Sequence, residues 1–281
     1  MSTQSEKAEA FRAMHLRDRA FILPNPWDVG TARILAELGF EALATTSMGL
    51  AFSLGRLDNT VGRDLVLQHV SALVSATELP VSADLENGFG DRPKDAADTI
   101  RLAAAAGAVG GSIEDATGRG DDPIYSCEFA AERVRAAVEA ARSLPFRFTL
   151  TARCENYLHG RPDLADTIRR LQSYQEAGAD VLFAPALATK EEIAAVVGSV
   201  DRPVNVVMGL AGVQLSLAEL SALGAKRVSV GSALARAALG AFLRAAREMW
   251  DAGTFTFARD AAAARVVSSI LSASESRSPI R

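Results

Sequence analysis

Along the 281-residue chain, short β-rich apolar runs alternate with longer Ala- and Leu-rich stretches whose apolar positions have helical spacing. Strands are predicted near residues 21–23, 42–46, 81–84, 110–113, 148–152, 181–184, 204–207 and 227–230. Four helical stretches end at glycines that can take the left-handed conformation of a helix C-terminus, namely Gly39, Gly107, Gly178 and Gly224. Two pairs match capping boxes, Thr189 with Glu192 and Ser216 with Glu219. The pattern therefore predicts eight strand–helix units.

Regular alternation of strands and helices predicts a parallel sheet, either closed into a (β/α)8 TIM barrel or open and doubly wound. Open sheets that bind nucleotides usually carry a GxGxxG turn after the first strand, but residues 24–27 read Pro-Asn-Pro-Trp. Eight units and a length near the ~250 residues typical of the barrel favour a single (β/α)8 domain over residues 1–281. Extra helices are predicted at 233–250 and about 259–271. Residues from about 254 to 272 thus form a C-terminal helical extension, and 273–281 a disordered tail.

The composition of the chain limits the classes of binding partner that we expect. The 30 basic and 34 acidic residues give a net charge of −4 without a basic run, so nucleic acid and membrane surfaces are not expected partners. Apolar stretches are broken well before the ~18 residues that a membrane span needs, and no signal peptide is apparent, so a cytoplasmic protein is expected. Two distant cysteines and three isolated histidines argue against disulfides and zinc.

Polar residues that close an apolar strand are the candidates for chemistry, because a barrel enzyme builds its active site at the C-terminal strand ends. In strand 3, the two-residue period puts Ser82, Asp84 and Glu86 on one face. Strand 4 ends in Glu114, and strand 5 has Arg153 on its inward face. Such close carboxylates repel one another unless a cation lies among them, and an oxygen-only set suits Mg²⁺ or Mn²⁺. Alternatively, Asp84 and Glu86 cap a helix or pair with surface bases.

At these residues the chain resembles the isocitrate lyase and phosphoenolpyruvate mutase superfamily, over about residues 11–242. The superfamily signature Asp-x-Asp/Glu-x-Gly-Tyr/Phe-Gly is matched by Asp84-Leu85-Glu86-Asn87-Gly88-Phe89-Gly90. The segment Thr45-Thr46-Ser47-Met48-Gly49-Leu50, followed by Ser53-Leu54-Gly55 and Asp58, is similar to the superfamily's carboxylate-binding turn and its additional acidic residue. Further matches are Ile113-Glu114-Asp115, Ala152-Arg153 and Pro203-Val204-Asn205.

The resemblance implies roles for these positions. Asp84 would ligate Mg²⁺ directly, and the residues that hold the ion's waters would be Asp58, Glu86 and Glu114. Backbone N–H groups would receive the substrate carboxylate at Thr46, Ser47 and Met48. Arg153 and Asn205 would bind the substrate, and the candidate catalytic residues are Arg153, Asp58 and Glu114. The resemblance also implies a homotetramer whose C-terminal helices are swapped between neighbouring subunits.

One loop departs from the superfamily pattern. Isocitrate and methylisocitrate lyases carry a Lys-Lys/Arg-Cys-Gly-His loop after strand 4 whose Cys is the catalytic acid/base, whereas residues 116–125 here contain neither Cys nor His. The Lys and Asn of the mutase loop are absent too. Cys127 and Cys154 lie nearby but are expected to be small packed hydrophobes. Tyr157, His159 and Asp58 remain as acid/base candidates.

The predicted activity is cleavage of a C–C bond in a small 2-oxo or 2-hydroxy carboxylate, by a Mg²⁺-dependent lyase or decarboxylase through an enolate-like intermediate. A phosphonopyruvate- or phosphoenolpyruvate-type P–C enzyme and a non-catalytic oxo-acid-binding barrel remain alternatives. A phosphate-binding barrel would use Gly209, Gly212, Gly231 and Ser232. A Schiff-base aldolase is disfavoured because no lysine follows a strand end, the lysines being Lys7, Lys94, Lys190 and Lys226.

Overall fold

A computed structural model describes residues 2–210 and 212–277, with the backbone alone for 274–277. Its eight strands are all parallel and form one sheet in the order β1-β8-β7-β6-β5-β4-β3-β2. The strands are β1 (Phe21–Leu23), β2 (Leu43–Ala44), β3 (Val81–Asp84), β4 (Gly110–Glu114), β5 (Thr149–Arg153), β6 (Val181–Phe183), β7 (Val204–Val207) and β8 (Arg227–Ser229). The Ala44 N–H donates to the carbonyl oxygen of Pro24, just after β1, at 3.0 Å and brings the sheet edges together. The predicted (β/α)8 TIM barrel is confirmed.

Helices follow the strands as the alternation predicted. They are α1 (Gln4–Met14), α2 (Val29–Glu37), α3 (Ser47–Ser53), α4 (Arg63–Ala76), α5 (Pro93–Ala105), α6 (Cys127–Arg142), α7 (Leu164–Glu176), α8 (Lys190–Gly198), α9 (Leu217–Ala222), α10 (Ala233–Ala252) and α11 (Ala264–Arg277). Both predicted capping boxes are present, at the starts of α8 and α9. The four predicted terminal glycines all have positive φ, between 89° and 102°. None of the helices among the described residues is long and apolar enough to cross a membrane.

Strand β2 is shorter than predicted. The sequence indicated a strand over 42–46, but β2 ends at Ala44. Thr46 instead caps α3, and its hydroxyl accepts the Gly49 N–H at 3.3 Å. Glycine is required at position 49, because an added Cβ would lie 2.6 Å from the Thr46 side chain and 3.0 Å from Trp27. The chain therefore turns sharply into α3 at the barrel mouth.

The core lies between the strands and the surrounding helices. Leu150 of β5 and Phe148, just before this strand, pack outward with residues of α5 and α6, as the alternation predicted. The inward Thr151 instead meets the Arg227 side chain of β8 inside the barrel, 3.0 Å from one guanidinium nitrogen. Helix α1 covers the N-terminal end of the barrel, where Phe11 is fully buried in edge contact with Phe21. The other end of the barrel stays open.

The last helices extend beyond the barrel. Helix α10 has only Ala235 buried, and α11 packs against α2 of the same chain. A 3-10 helix, Thr256–Arg259, connects them. Helix α11 runs through Arg277 and thus includes residues 273–277, for which the sequence predicted a disordered tail; residues 278–281 lie outside the described residues.

Candidate active site

A cavity of about 420 Å³ opens at the C-terminal ends of the strands. The predicted site residues that line it are Thr46, Ser47, Met48, Asp58, Asp84, Glu114, Arg153 and Asn205. Glu86 lies instead in an adjoining open groove, which shares Glu114, Asn59 and His159 with the cavity. The fold thus brings together residues that are up to 159 positions apart, from Thr46 to Asn205.

Arg153 is the centre of the acidic wall of this cavity. Its guanidinium lies 3.6 Å from Asp84 Oδ1 and 3.3 Å from Glu114 Oε2. The same guanidinium forms a bidentate pair with Glu155, one contact being very short and the other 3.2 Å. The side chain of Glu155 is only 3% exposed. One cation thus faces three carboxylates in a largely buried setting.

Asp84 is held from two sides at the end of β3. Its backbone N–H donates to the Thr45 hydroxyl at 2.8 Å, and its Oδ2 accepts the Ser47 N–H at 3.1 Å. One of the three N–H groups predicted to receive a substrate carboxylate therefore contacts Asp84 instead. The N–H groups of Thr46 and Met48 have no acceptor among the described residues.

Glu86 is not placed by the strand alternation that predicted it. Strand β3 ends at Asp84, and Glu86 has a φ of 50°, so the two-residue period does not extend to this residue. The residue is nevertheless 92% buried, since its relative exposure is 8%. Its side chain reaches the neighbourhood of Asp84 and Asp58, whose charges act on its titration. A left-handed turn, and not a strand face, brings Glu86 to the acidic cluster.

The cluster carries more negative charge than Arg153 compensates. Burial, followed by the charges of Asp84 and Asp58, raises the pKa of Glu86 to about 8. Burial also raises the pKa of Glu114, and the pKa of Asp58 rises from burial and from the charge of Asp84. These shifts indicate a site that favours a bound cation.

Unsatisfied oxygens support the same interpretation. Asp58 Oδ1 and Glu86 Oε1 are buried and have no hydrogen-bond partner among the described residues. Over residues 2–210 and 212–277, no three His, Cys, Asp or Glu side chains are placed to hold a metal ion together. Mg²⁺ usually binds through one or two carboxylates and keeps several waters, which the other carboxylates can accept. The donor set therefore fits a mostly water-coordinated Mg²⁺.

Asn205 and Arg227 form the floor of the cavity. Arg227 Nε donates to Asn205 Oδ1 at 2.8 Å, and Asn205 Nδ2 donates to the Ser229 hydroxyl at 2.9 Å. Arg227 is 4% exposed, and burial lowers its pKa to about 9. The motifs in the sequence did not single out Arg227, although a basic residue in an apolar strand is a visible signal.

A buried network behind the cavity was also missed. Asp115 Oδ1 accepts the Glu155 N–H at 2.7 Å, while its Oδ2 accepts from Arg170 at 3.1 Å and from the Tyr174 hydroxyl at 2.6 Å. Glu155 itself follows Arg153 at the strand period, which is a weak signal in the sequence. Because this network fixes the backbone of Glu155, it also positions the Glu155 carboxylate for its ion pair with Arg153.

The loop after β4 contains no acid/base group facing the cavity. It closes as a small hairpin in which Ala116 pairs with Ile124, and Tyr125 donates to Asp91 at 2.5 Å. Cys127 and Cys154 are buried and do not line the cavity. Of the acid/base candidates, His159 and Asp58 line the cavity, whereas Tyr157 does not; its hydroxyl lies 2.9 Å from Glu192.

Comparison with known proteins identifies the family of this chain. The family model described as phosphoenolpyruvate phosphomutase matches residues 11–250. A Burkholderia cenocepacia J2315 structure, provisionally assigned as a lyase/mutase, is 67% identical, with a TM-score of 0.92 and 95% of each chain covered. An uncharacterized Mycobacterium tuberculosis protein is 33% identical, covering 86% of this chain and 89% of that protein. The 2-methylisocitrate lyase of Escherichia coli is 31% identical, covering 64% of this chain and 62% of the lyase.

Other matches come from proteins with different named reactions. An oxaloacetate decarboxylase of Rhodopseudomonas palustris is 27% identical over 81% of this chain and 78% of its own length. A phosphonopyruvate hydrolase solved with oxalate and Mg²⁺ is 25% identical, with a TM-score of 0.83 and 96% of each chain covered. The chain therefore belongs to the phosphoenolpyruvate phosphomutase family, within the isocitrate lyase and phosphoenolpyruvate mutase superfamily of carbon–carbon lyases and mutases.

Proposed function

We propose that this protein is a Mg²⁺-dependent lyase or decarboxylase that cleaves a C–C bond in a small 2-oxo or 2-hydroxy carboxylate through an enolate-like intermediate. The observation that carries the proposal is the buried acidic cluster around Arg153, in which Asp58 Oδ1 and Glu86 Oε1 have no hydrogen-bond partner in the part of the chain that the structure describes. The named activities of the 2-methylisocitrate lyase and oxaloacetate decarboxylase relatives support this reaction class.

The cation site would be formed by Asp84 as the direct ligand, with Asp58, Glu86 and Glu114 accepting hydrogen bonds from the ion's waters. When bound, Mg²⁺ would supply Lewis-acid polarisation of the substrate carbonyl. Binding would also lower the carboxylate pKa values that burial and mutual repulsion raise. The phosphonopyruvate hydrolase solved with oxalate and Mg²⁺ supports this choice of metal.

The protein's own residues would bind and orient the acid. The N–H groups of Thr46 and Met48, which have no acceptor among the described residues, would receive the substrate carboxylate. The guanidinium of Arg153 would stabilise the negative charge that develops on the carbonyl oxygen. The Asn205 Oδ1 accepts from Arg227, and one N–H of the Asn205 amide donates to the Ser229 hydroxyl. The second N–H of this amide would be available to the substrate.

The proton for the carbanion carbon must come from a group at the cavity. His159 and Asp58 line it and are the groups that we propose to hold this proton. Because the loop over residues 116–125 lacks the lyase Cys, we expect oxaloacetate decarboxylation or cleavage of a substituted malate, and weak or absent isocitrate cleavage.

The test is an assay of the purified protein with Mg²⁺ or with EDTA on oxaloacetate, isocitrate, methylisocitrate, dimethylmalate and phosphonopyruvate. We expect Mg²⁺-dependent C–C cleavage of oxaloacetate or a substituted malate. Arg153→Ala should weaken oxo-acid binding by about 2 kcal/mol, while Arg135→Ala, on an exposed position of α6, should not. Strong isocitrate cleavage would show that another residue replaces the Cys, and phosphonopyruvate turnover alone would indicate P–C chemistry.

For the assembly, we propose a homotetramer with exchanged C-terminal helices, located in the cytoplasm. Its support is the exposed apolar surface of α10 and the following turn. Phe242, Trp250 and Phe255 are 67%, 89% and 67% exposed in the single chain. Large apolar patches of this kind mark protein interfaces, and a second copy of the chain is the occupant that we propose.

A further inference from the structure

Arg153 turns one of its three guanidinium nitrogens toward the acidic wall of the cavity. Its Nε and Nη2 donate to the two carboxylate oxygens of Glu155. The third nitrogen, Nη1, lies 3.3 Å from Glu114 Oε2 and 3.6 Å from Asp84 Oδ1. Because a guanidinium is planar and rigid, a carboxylate that binds two of its nitrogens also sets the position of the third. Glu155 therefore controls where Nη1 lies.

Asp115, just after β4, holds the short segment that carries this ion pair. The Asp115 N–H donates to the Arg153 carbonyl oxygen at 3.1 Å, and Asp115 Oδ1 accepts the Glu155 N–H at 2.7 Å. Both the backbone and the side chain of Asp115 thus bind residues 153–155. Strand β5 ends at Arg153, so the side chain of Asp115 fixes Glu155 beyond the end of the strand.

Helix α7 in turn fixes the carboxylate of Asp115. Its Oδ2 accepts from Arg170 at 3.1 Å and from the Tyr174 hydroxyl at 2.6 Å. Arg170 is paired through its Nε with Asp166 Oδ2, one turn earlier in α7, at 2.7 Å. Asp115, Arg170 and Tyr174 are each at most 5% exposed. Because donors engage both of its oxygens, the buried Asp115 carboxylate is held in a single orientation.

This network does not contact the substrate cavity itself. Asp115, Arg170 and Tyr174 all lie outside the lining of the cavity. A buried ion pair is by itself a weak source of stability, because desolvation of two charges costs about as much as their attraction returns. A buried network in which the polar groups have partners does, however, hold its members in one arrangement. The geometry therefore indicates a role in orienting the residue that the network binds, which is Glu155.

We infer that Asp115 is a positioning residue for the proposed reaction: it holds Glu155 so that Arg153 offers Nη1 to the carbonyl oxygen of the oxo acid. This inference rests on the proposed function, which gives Arg153 its charge-stabilising role without saying what orients it. The Phe183 ring restricts the same guanidinium from one face, since its centroid lies 5.3 Å from the guanidinium carbon.

A loss of this orientation affects turnover and binding differently. Negative charge grows on the carbonyl oxygen only during the reaction, so a misplaced Nη1 should slow turnover. The positive charge of Arg153 stays in the cavity when its orientation is lost, so the attraction of the acid in the ground state is largely kept. A positioning role therefore predicts a lower kcat at a nearly unchanged KM.

The experiment measures kcat and KM with Mg²⁺ for the acid that the wild type cleaves, and the binding of oxalate, a planar mimic of an enolate, by titration calorimetry. Asp115→Ala should lower kcat about 100-fold and oxalate affinity about 10-fold, with KM within about threefold. Asp115→Asn, which keeps an acceptor for the Glu155 N–H, should lower kcat only about 10-fold. Tyr174→Phe, which removes one donor to Asp115, should lower kcat about threefold.

The matched control is Asp180→Asn. Asp180 also accepts a backbone N–H of β5, from Leu150 at 2.9 Å, and pairs with Arg142 at 2.6 Å, but it does so toward the N-terminal end of the strand. This variant should lower Tm and leave kcat within about twofold. Kinetics are measured at a temperature at which circular dichroism shows every variant folded.

Each outcome decides a separate point. Equal losses of kcat in Asp180→Asn and Asp115→Asn, or unchanged kcat and oxalate affinity in Asp115→Ala, would overturn the positioning role while the proposed function stands. If Asp115→Ala does not fold, Asp115→Asn and Tyr174→Phe decide the same question. A wild type that binds oxalate but cleaves no acid would overturn the proposed function, and the oxalate affinities of the variants then decide the positioning role. A wild type that does neither would overturn both.

Discussion

His15 makes protein stability depend on pH in a way that can be calculated. The imidazole lies at the N-terminal end of the barrel, in edge contact with Phe11 and Phe21 at 4.9 and 5.0 Å. Its Nδ1 lies 2.9 Å from the Phe11 carbonyl oxygen, so this nitrogen carries the proton, and its Nε2 is buried without a partner among the described residues. Burial, and next the nearby charge of Arg227, lower the pKa of His15 to about 3.

Because the pKa of His15 is lower in the folded than in the unfolded state, protonation favours unfolding. Well above pH 6.5 the His15 imidazole is neutral in both the folded and the unfolded state and does not affect the free energy of unfolding. Below pH 6.5 the imidazole is protonated in the unfolded state, whereas in the folded state it stays neutral down to about pH 3. At pH 4.5, two units below the ordinary value, the lost stability is about 2.7 kcal/mol. The loss should therefore grow steadily from pH 6.5 to pH 4.5.

The matched variant is His15→Phe, which keeps an aromatic ring between Phe11 and Phe21 but cannot titrate. Urea unfolding at pH 8 and pH 4.5 should show that the wild type loses about 2.7 kcal/mol more stability than this variant. The variant should also cost about 1 kcal/mol at pH 8, from the lost hydrogen bond. His159→Phe, at an exposed position, should follow the wild type. Equal losses in wild type and His15→Phe would refute the assignment of a buried neutral imidazole.

Three further outcomes are expected. Arg133 is 1% exposed and donates to three backbone carbonyls of the loop after β3. Its substitution Arg133→Met should lower the free energy of unfolding by about 4 kcal/mol and Tm by about 7 °C in a thermal scan, while Arg135→Met, at an exposed position, should leave Tm nearly unchanged. Asp84→Ala should abolish Mg²⁺-dependent turnover and leave the circular dichroism spectrum unchanged, whereas Asp18→Ala, at an exposed position, should retain turnover. Turnover by Asp84→Ala in the presence of EDTA would contradict the metal assignment. Truncation after residue 255 should shift the mass measured by light scattering from that of a tetramer to that of smaller species, whereas removal of residues 278–281 alone should leave the mass of the assembly unchanged. A wild-type protein that is monomeric would contradict the proposed tetramer.

Local signals in the sequence were sufficient for the elements of the barrel. Gly178 and Gly224 end helices because glycine takes positive φ without steric cost, and the Thr189 box starts α8, because both depend only on residues within one turn. Strand periodicity also placed Asp84, Glu114 and Arg153 correctly at the cavity, since each lies at the last position of its strand. The period of the backbone decides which way such side chains point.

Tertiary structure alone decided what the strand ends contact. Glu86 reaches the cluster through a left-handed turn that the alternation does not describe. Glu155 pairs with Arg153 because Asp115, just after the neighbouring strand β4, holds the Glu155 backbone. Arg227 crosses the barrel to Thr151, a contact set by closure of the sheet. Such pairs depend on strand register and on burial, which fix distances between residues far apart in the chain. The sequence by itself therefore determined that Asp84, Glu114 and Arg153 stand at the barrel mouth, and the packing of the closed sheet decided which other residues join them and which charges meet there.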